Sequence, residues 1–397
     1  MKKHLLTAAL AAALATTSFA HAADTIKVGV ILGFTGPIES LTPDMGASAE
    51  LAFKEASDSG MLLGGRVIEP IRADSTCVDA SAATAAAERL ITADKVVAIM
   101  GADCSGVTTA IANSVAIPNG VVMVSPSATT PALSTIEDKG LFFRTAPSDA
   151  RQGQVLADAV FESGTKNIAV TYTNNDYGKG LSDAFVGAFK ALGGKVSIVA
   201  AHEDGKADYS AEVAALSASG ADKLAVLGYL DQGGKGIIQA SIDTGAFETF
   251  VLGDGMIGQS LVDAFADDMV DTIATSPGGA SDAGDKFVAI AKANKIGGKG
   301  PYDGNSYDAG ALIALAIQAG NSADRASIQA NMLAVANAPG TKIYPGELKK
   351  GLEILAGGGE IDYVGATSIE FSDIGEVYGT YKQLEIKDNK FSLVKIR

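Results

Sequence analysis

The 397-residue sequence contains no tryptophan, two cysteines and three histidines. His4 and His21 fall in the first 22 positions, so His202 stands alone in the rest of the chain. Imidazole and thiolate donors for a metal centre are too few, and no metal is expected. Charged residues make up 19% of the chain, yet beyond its start no segment reaches ~18 apolar residues without a charge, so no spanning helix is expected. Lysine and arginine number 31 against 46 acids, a net charge of −15. That balance leaves no cationic footprint for nucleic acid or an anionic membrane. Catalytic and nucleotide motifs are missing too. There is no Gly-x-Ser-x-Gly elbow and no Gly-Lys followed by Ser or Thr. Gly178-Lys-Gly180 opens a helix after a strand, but Asp183 stands where a dinucleotide fingerprint needs its third glycine. A Ser-His-Asp triad would have to use His202, which adjoins the polar run Glu203-Asp-Gly-Lys-Ala-Asp208 and is expected to face solvent. Neither an enzyme nor a cofactor is expected.

What is present begins with an export signal. Lys2 and Lys3, an apolar run over 5–14 and Ala20-His-Ala22 form the charged, apolar and cleavage regions of a signal peptide over 1–22. The remaining length suggests two domains, and 47% hydrophobic residues supply both cores. In an oxidising compartment Cys77 and Cys104 suggest one disulfide, two buried thiols being the alternative.

Short apolar runs alternate with helical stretches. Strands are expected at 25–32, 67–73, 96–100 and 121–124, with helices at 45–57, 81–91 and 107–117 between them. After Arg144-Thr-Ala-Pro147 the pattern restarts, with strands at 167–172, 195–200, 223–229 and 249–252 and helices at 152–162, 180–192, 209–219 and 236–244. Such alternation means parallel sheets covered by helices, in two similar units. Ser276-Pro-Gly-Gly-Ala-Ser281 reads as a crossing, and the tail from 367 onward alternates like antiparallel strands.

The runs at 96–100 and 121–124 end in Gly101-Ala-Asp-Cys-Ser105-Gly106 and Ser125-Pro-Ser-Ala-Thr129-Thr130-Pro131. Ligands of open α/β sheets sit beyond the carboxyl ends of strands, where hydroxyls and backbone N–H groups suit a small carboxylate. In the second unit Leu252-Gly-Asp254-Gly-Met256 places an acid at a strand end, between glycines that permit a sharp bend. An amino acid needs both poles, donors for its carboxylate and an acid for its ammonium. On spacing alone, a turn former or helix cap is the alternative role for Asp254. Tyr177 and Tyr229 follow strand ends of the same unit and fit a ligand wall or a core edge.

These residues, with Gly36-Pro37, Asp74-Ser-Thr-Cys77, Asp176-Tyr-Gly-Lys-Gly-Leu181, Gly228-Tyr229 and Gly300-Pro-Tyr302, together resemble the periplasmic branched-chain amino-acid-binding proteins, the leucine/isoleucine/valine-binding family of ABC importers. The resemblance implies an α/β, two-lobed type I periplasmic-binding fold (a Venus flytrap) with three interlobe crossings. Lobe 1 would be 24–147 with 278–380, and lobe 2 148–277 with 381–397. It implies a monomeric periplasmic receptor that delivers its ligand to an inner-membrane permease. Ser105 and Thr129 hydroxyls, with backbone N–H groups at Ser127 and Ala128, would grip a carboxylate. Asp254 would take an ammonium, Tyr177, Tyr229 and Tyr302 would line the pocket, and Cys77–Cys104 would match the family disulfide.

Departures from the family pattern concern the ligand. Asp254 stands where these binders carry Glu, Ser127 where they carry a small apolar residue, and Leu41 where a tryptophan often covers the side chain. Residues 344–359 add a helix-like insertion. An amino acid, branched-chain or similar, is expected, with another small carboxylate such as an aromatic acid or amide as the alternative.

Overall fold

The computed structural model describes residues 25–269 and 271–397, so the expected signal segment lies outside the described residues. Five parallel strands form the first sheet: β1 (Thr25–Leu32), β2 (Val67–Asp74), β3 (Ala98–Gly101), β4 (Val122–Ser125) and β5 (Phe142–Arg144), in the order β2-β1-β3-β4-β5. The strands β6 (Asn167–Thr173), β7 (Lys195–His202), β8 (Lys223–Leu227), β9 (Phe250–Leu252) and β10 (Ile273–Pro277) repeat that order as β7-β6-β8-β9-β10. Both are doubly wound sheets, and each has a switch point where the chain reverses direction across the sheet, at β1/β3 and β6/β8.

β3 and β4 are buried along their whole length, which is why they read as unbroken apolar runs rather than alternating ones. β10 was not expected, because its Ile-Ala-Thr-Ser-Pro sequence carries turn formers; burial of all five residues overrides that local preference. A short parallel pair, β11 (Thr341–Ile343) and β12 (Ile361–Tyr363), brackets the helix Leu348–Ala356 expected as an insertion. The chain then returns to the second sheet as a hairpin, β13 (Tyr381–Lys387) pairing antiparallel with β10 and β14 (Lys390–Ile396) pairing antiparallel with β13 at the edge. Antiparallel pairing in the tail is thus limited to 381–396, with an isolated bridge at Phe371 and Val377 before it.

One apolar core lies between the first sheet and the helices Thr42–Asp58, Asp303–Ala319 and Arg325–Ala336. A second runs without interruption from the other face of that sheet, through Leu156 and Phe185, to Ile168 and Val170 of the second sheet. Leu41 packs against both of these and against the third core, on the far side of the second sheet. Cys77 and Cys104 are bridged, with Cα atoms 5.2 Å apart. Closing the 27-residue separation stabilises the fold by about 3 kcal/mol in the chain-entropy description.

His202 does not face solvent. It ends β7, is 2% exposed, and pairs through Nδ1 with Thr171 Oγ1 at 2.8 Å, while Nε2 has no partner. The polar run that suggested exposure starts one residue later, and the inward alternation of β7 buries the ring. Burial holds its pKa down at about 4. The unfolded chain, with a pKa near 6.5, binds the proton first, so this histidine costs stability as pH falls from about 6.5 through 4. The cost reaches about 3 kcal/mol below that window. Urea unfolding of His202→Gln and the parent at pH 7.5 and 4 should show the parent losing more stability on acidification. Parallel losses would mean the ring is not neutral and buried.

Candidate functional site

The elements that follow the two switch points converge. Ile38, Leu41 and Met45 come after β1, Asp103 and Cys104 after β3, and Ser127 after β4. From the second sheet come Tyr177 after β6, Tyr229 after β8, and Asp254 and Gly255 after β9. Tyr302, at the start of the helix Asp303–Ala319, completes a small chamber of about 20 Å³, room for one water-sized occupant.

Asp103 anchors the first wall. Its buried carboxylate accepts hydrogen bonds from Gly33 N–H (2.7 Å), Cys104 N–H (2.9 Å) and Ser75 Oγ (3.2 Å), tying together the ends of β1, β2 and β3. A Cβ at Gly33 would lie 2.9 Å from Cys77 Cβ, so only glycine fits against the disulfide. Burial raises the Asp103 pKa, and these donors oppose the rise.

The 125–131 loop is held from behind by Arg144, which is fully buried. Its guanidinium donates to the carbonyls of Ala128 (3.1 Å) and Thr130 (2.9 Å), to Ser134 Oγ (2.8 Å) and to Glu376 Oε1 (2.6 Å). Fixing those carbonyls on one side orients the loop. Its N–H groups meet hydroxyls instead: Ala128 N–H donates to Ser125 Oγ (2.9 Å), and Thr129 and Thr130 N–H both donate to Ser105 Oγ (3.2 Å). Ser127 Oγ donates to the Asp103 carbonyl (3.1 Å) and lines the chamber. Ser105, Ala128 and Thr129 are buried and do not line it.

Opposite stands Asp254, 2% exposed. Tyr177 is presented by the helix Asp176–Ala191, whose first turn is capped by Asn175 accepting from Gly178 N–H at 3.1 Å. The Tyr177 hydroxyl donates to Asp254 Oδ1 (3.0 Å) and accepts from Gly255 N–H (3.0 Å), and the Tyr302 hydroxyl donates to Asp254 Oδ2. The glycines beside Asp254 serve close approach: a Cβ at Gly253 or Gly255 would sit 3.0 or 2.9 Å from the Tyr177 hydroxyl. Neither has a positive φ, so room for the tyrosine, rather than a sharp bend, is what they supply. The Tyr177 and Tyr229 rings stack at 5.0 Å. Burial raises the Asp254 pKa, while Tyr302, Tyr177 and Gln152 favour the charged form. No Lys or Arg among the described residues forms an ion pair with it.

Sequence reasoning missed two neighbours. Asp149 and Gln152 lie three apart on the helix Asp149–Glu162, so they share a face, and both are fully buried. Neither Asp149 oxygen, nor Gln152 Oε1, nor Thr129 Oγ1 makes a hydrogen bond. Burial and then the charge of Asp254 push the Asp149 pKa well up, against Thr129 and Arg144. In sequence the two look like an ordinary helix start, so no local signal marked them.

No cluster of His, Cys, Asp or Glu among the described residues could hold a metal, and none of their helices is long and apolar enough to cross a membrane. The chamber itself is lined by two acids, Asp103 and Asp254, by Ser127 and by three tyrosines, with the hydroxyls and N–H groups of Ser105, Ala128 and Thr129 behind it.

The periplasmic binding protein family matches residues 25–344, and the chain belongs to that family. Within it, the chain groups with the Leu/Ile/Val-binding proteins. It is 30% identical to the Leu/Ile/Val-binding protein BraC3 of Rhizobium johnstonii over 83% of this chain and 88% of that one. A Leu/Ile/Val-binding protein homolog of Brucella melitensis is 32% identical, the match spanning 60% of this chain and 64% of that relative's length. In fold, the chain is similar to the leucine-binding protein LivK of Thermotoga maritima, with a TM-score of 0.78 at 24% identity over 94% of this chain and 98% of that one. A solute-binding protein of an ABC transporter from Rhodopseudomonas palustris, solved with p-hydroxybenzoic acid, has a TM-score of 0.71 at 19% identity, over 94% and 97%.

Removing the guanidinium while keeping its apolar stem, as in Arg144→Met, leaves Glu376 and two carbonyls without their donor. It should lower stability by about 3–5 kcal/mol in urea titrations. A loss of about 1 kcal/mol or less, the worth of an exposed pair, would mean that the loop holds its shape unaided.

Proposed function

We propose that this protein is the receptor of an ABC importer, a periplasmic monomer that closes two lobes on an amino acid and delivers it to an inner-membrane permease. The lobes are read as 24–147 with 278–380, and 148–277 with 381–397. Asp254 is the observation that carries this reading. A buried carboxylate, held by two tyrosine hydroxyls and lacking a cation, favours a ligand that brings its own ammonium. The other pole would be Ser105, Thr129 and the N–H groups at Ser127 and Ala128. Several of these N–H groups now bond to the Ser105 and Ser125 hydroxyls, so a ligand carboxylate would replace those bonds. The chamber is smaller than any amino acid, so entry requires Tyr302 or the facing loops to move apart. Closure then excludes water and strengthens the same contacts.

A second reading, a small aryl carboxylate without an ammonium, draws support from the stacked Tyr177–Tyr229 pair and from the p-hydroxybenzoic acid bound to the Rhodopseudomonas relative. The two readings differ in sign at Asp254. After a thermal-shift screen of amino acids and aryl carboxylates, titration calorimetry should show Asp254→Ala binding an amino acid about 30-fold or more weakly, a cost of about 2–5 kcal/mol. Ser105→Ala should cost about 1–2 kcal/mol, because backbone donors remain. If the ligand is a plain carboxylate, Asp254→Ala removes a like charge and binding tightens, and the amino-acid reading fails.

A further inference from the structure

Beyond segment 300–302 lies a second cleft of about 950 Å³, in the size range of small-molecule sites. Its walls include two of the stretches by which the chain passes between the sheets, 276–281 and 377–382, and the β13–β14 hairpin. Large apolar side chains left exposed gather here: Tyr378, Leu393 and Ile396 are 82%, 50% and 37% exposed, and all three line this cleft. Grouped exposed apolar side chains mark interaction sites more often than scattered ones do.

Lys382 supplies the polar feature. Its ammonium makes no ion pair or hydrogen bond with any described residue, and the side chain passes 3.7 Å from where a Cβ on Gly278 would stand. Burial lowers its pKa, and no carboxylate opposes the shift. Asp285 and Glu370 line the same cleft without reaching ion-pair distance. In a chain where 46 acids outnumber 31 bases, a part-buried cation left unpaired carries a desolvation cost that an anion would relieve.

We propose that this cleft binds an amphipathic organic carboxylate, its charge on Lys382 and its apolar body against Tyr378, Leu393 and Ile396. The site is independent of whatever the Asp254 chamber holds. Octanoate is a suitable probe. Titration calorimetry on the full mature chain should give saturable one-to-one binding, about tenfold weaker in Lys382→Met and retained in Lys382→Arg, which also guards against a folding defect at this position. Ser127→Phe, which fills the Asp254 chamber, should leave octanoate binding unchanged. Absence of saturable binding at millimolar octanoate, equal binding by Lys382→Met, or loss of binding in Ser127→Phe would each overturn the proposal. The last outcome would put octanoate in the Asp254 chamber and so bear on that site instead.

Discussion

The buried guanidinium of Arg144 is the constraint on which the first wall of the chamber depends. A charge removed from water needs compensating partners, and here both terminal nitrogens are met, one by the carbonyls of Ala128 and Thr130 and the other by Ser134 and Glu376, while Nε is left without a partner. Glu376 comes from the chain just before it rejoins the second sheet at Tyr381. One side chain thus ties the 125–131 loop to a passage between the two sheets. With the carbonyls of Ala128 and Thr130 turned toward Arg144, the N–H groups of the same loop are left to bond the Ser125 and Ser105 hydroxyls. The polarity of the site is set from behind, by a residue that does not line the chamber.

The opposite wall uses the same logic with opposite charge. Asp254 and Asp149 are both buried, burial raises the pKa of each, and the charge of Asp254 adds to the cost of ionising Asp149. Two tyrosine hydroxyls and Gln152 favour the charged form of Asp254, whereas Asp149 keeps both oxygens without a hydrogen bond. Inequality between two neighbouring acids is a familiar way of assigning them different protonation roles. Here it leaves Asp254 the better-supported carboxylate and Asp149 the acid more inclined to stay neutral. A cation arriving between the walls would lower the cost of ionising both.

Much of this was legible in the sequence, and for definite reasons. Buried parallel strands such as β3 and β4 have to be apolar throughout, so Val96-Val-Ala-Ile-Met100 and Val121-Val-Met-Val124 announced them. Because loops beyond strand ends of doubly wound sheets converge, Ser127, Tyr177, Tyr229 and Asp254, read as candidates from position, all line the chamber. What stayed hidden was what depends on distant segments. β10 is polar in sequence and becomes a strand only through burial between β9 and β13. His202 looked exposed because its neighbours are polar, although strand alternation turns it inward. Asp149 and Gln152 look like an ordinary helix start until the fold places them behind Thr129 and Asp254. Arg144 was visible as part of a motif, but its role needed Glu376, 232 residues away.

The glycines around Asp254 show why motif and mechanism have to be separated. Their presence suggested a sharp bend, yet their backbone angles are ordinary and any residue could adopt them. What crowds out other residues is close packing: a Cβ at Gly253 would lie 2.7 Å from Leu181 Cδ2, one at Gly255 2.7 Å from the Gly228 carbonyl, and either within 3.0 Å of the Tyr177 hydroxyl. That closeness lets one hydroxyl accept from Gly255 N–H while donating to Asp254, fixing the direction of its proton toward the carboxylate. A tyrosine oriented in this way cannot turn its proton to a ligand without giving up the bond to Asp254. Any group that enters between them must therefore be a donor to Asp254 in its own right.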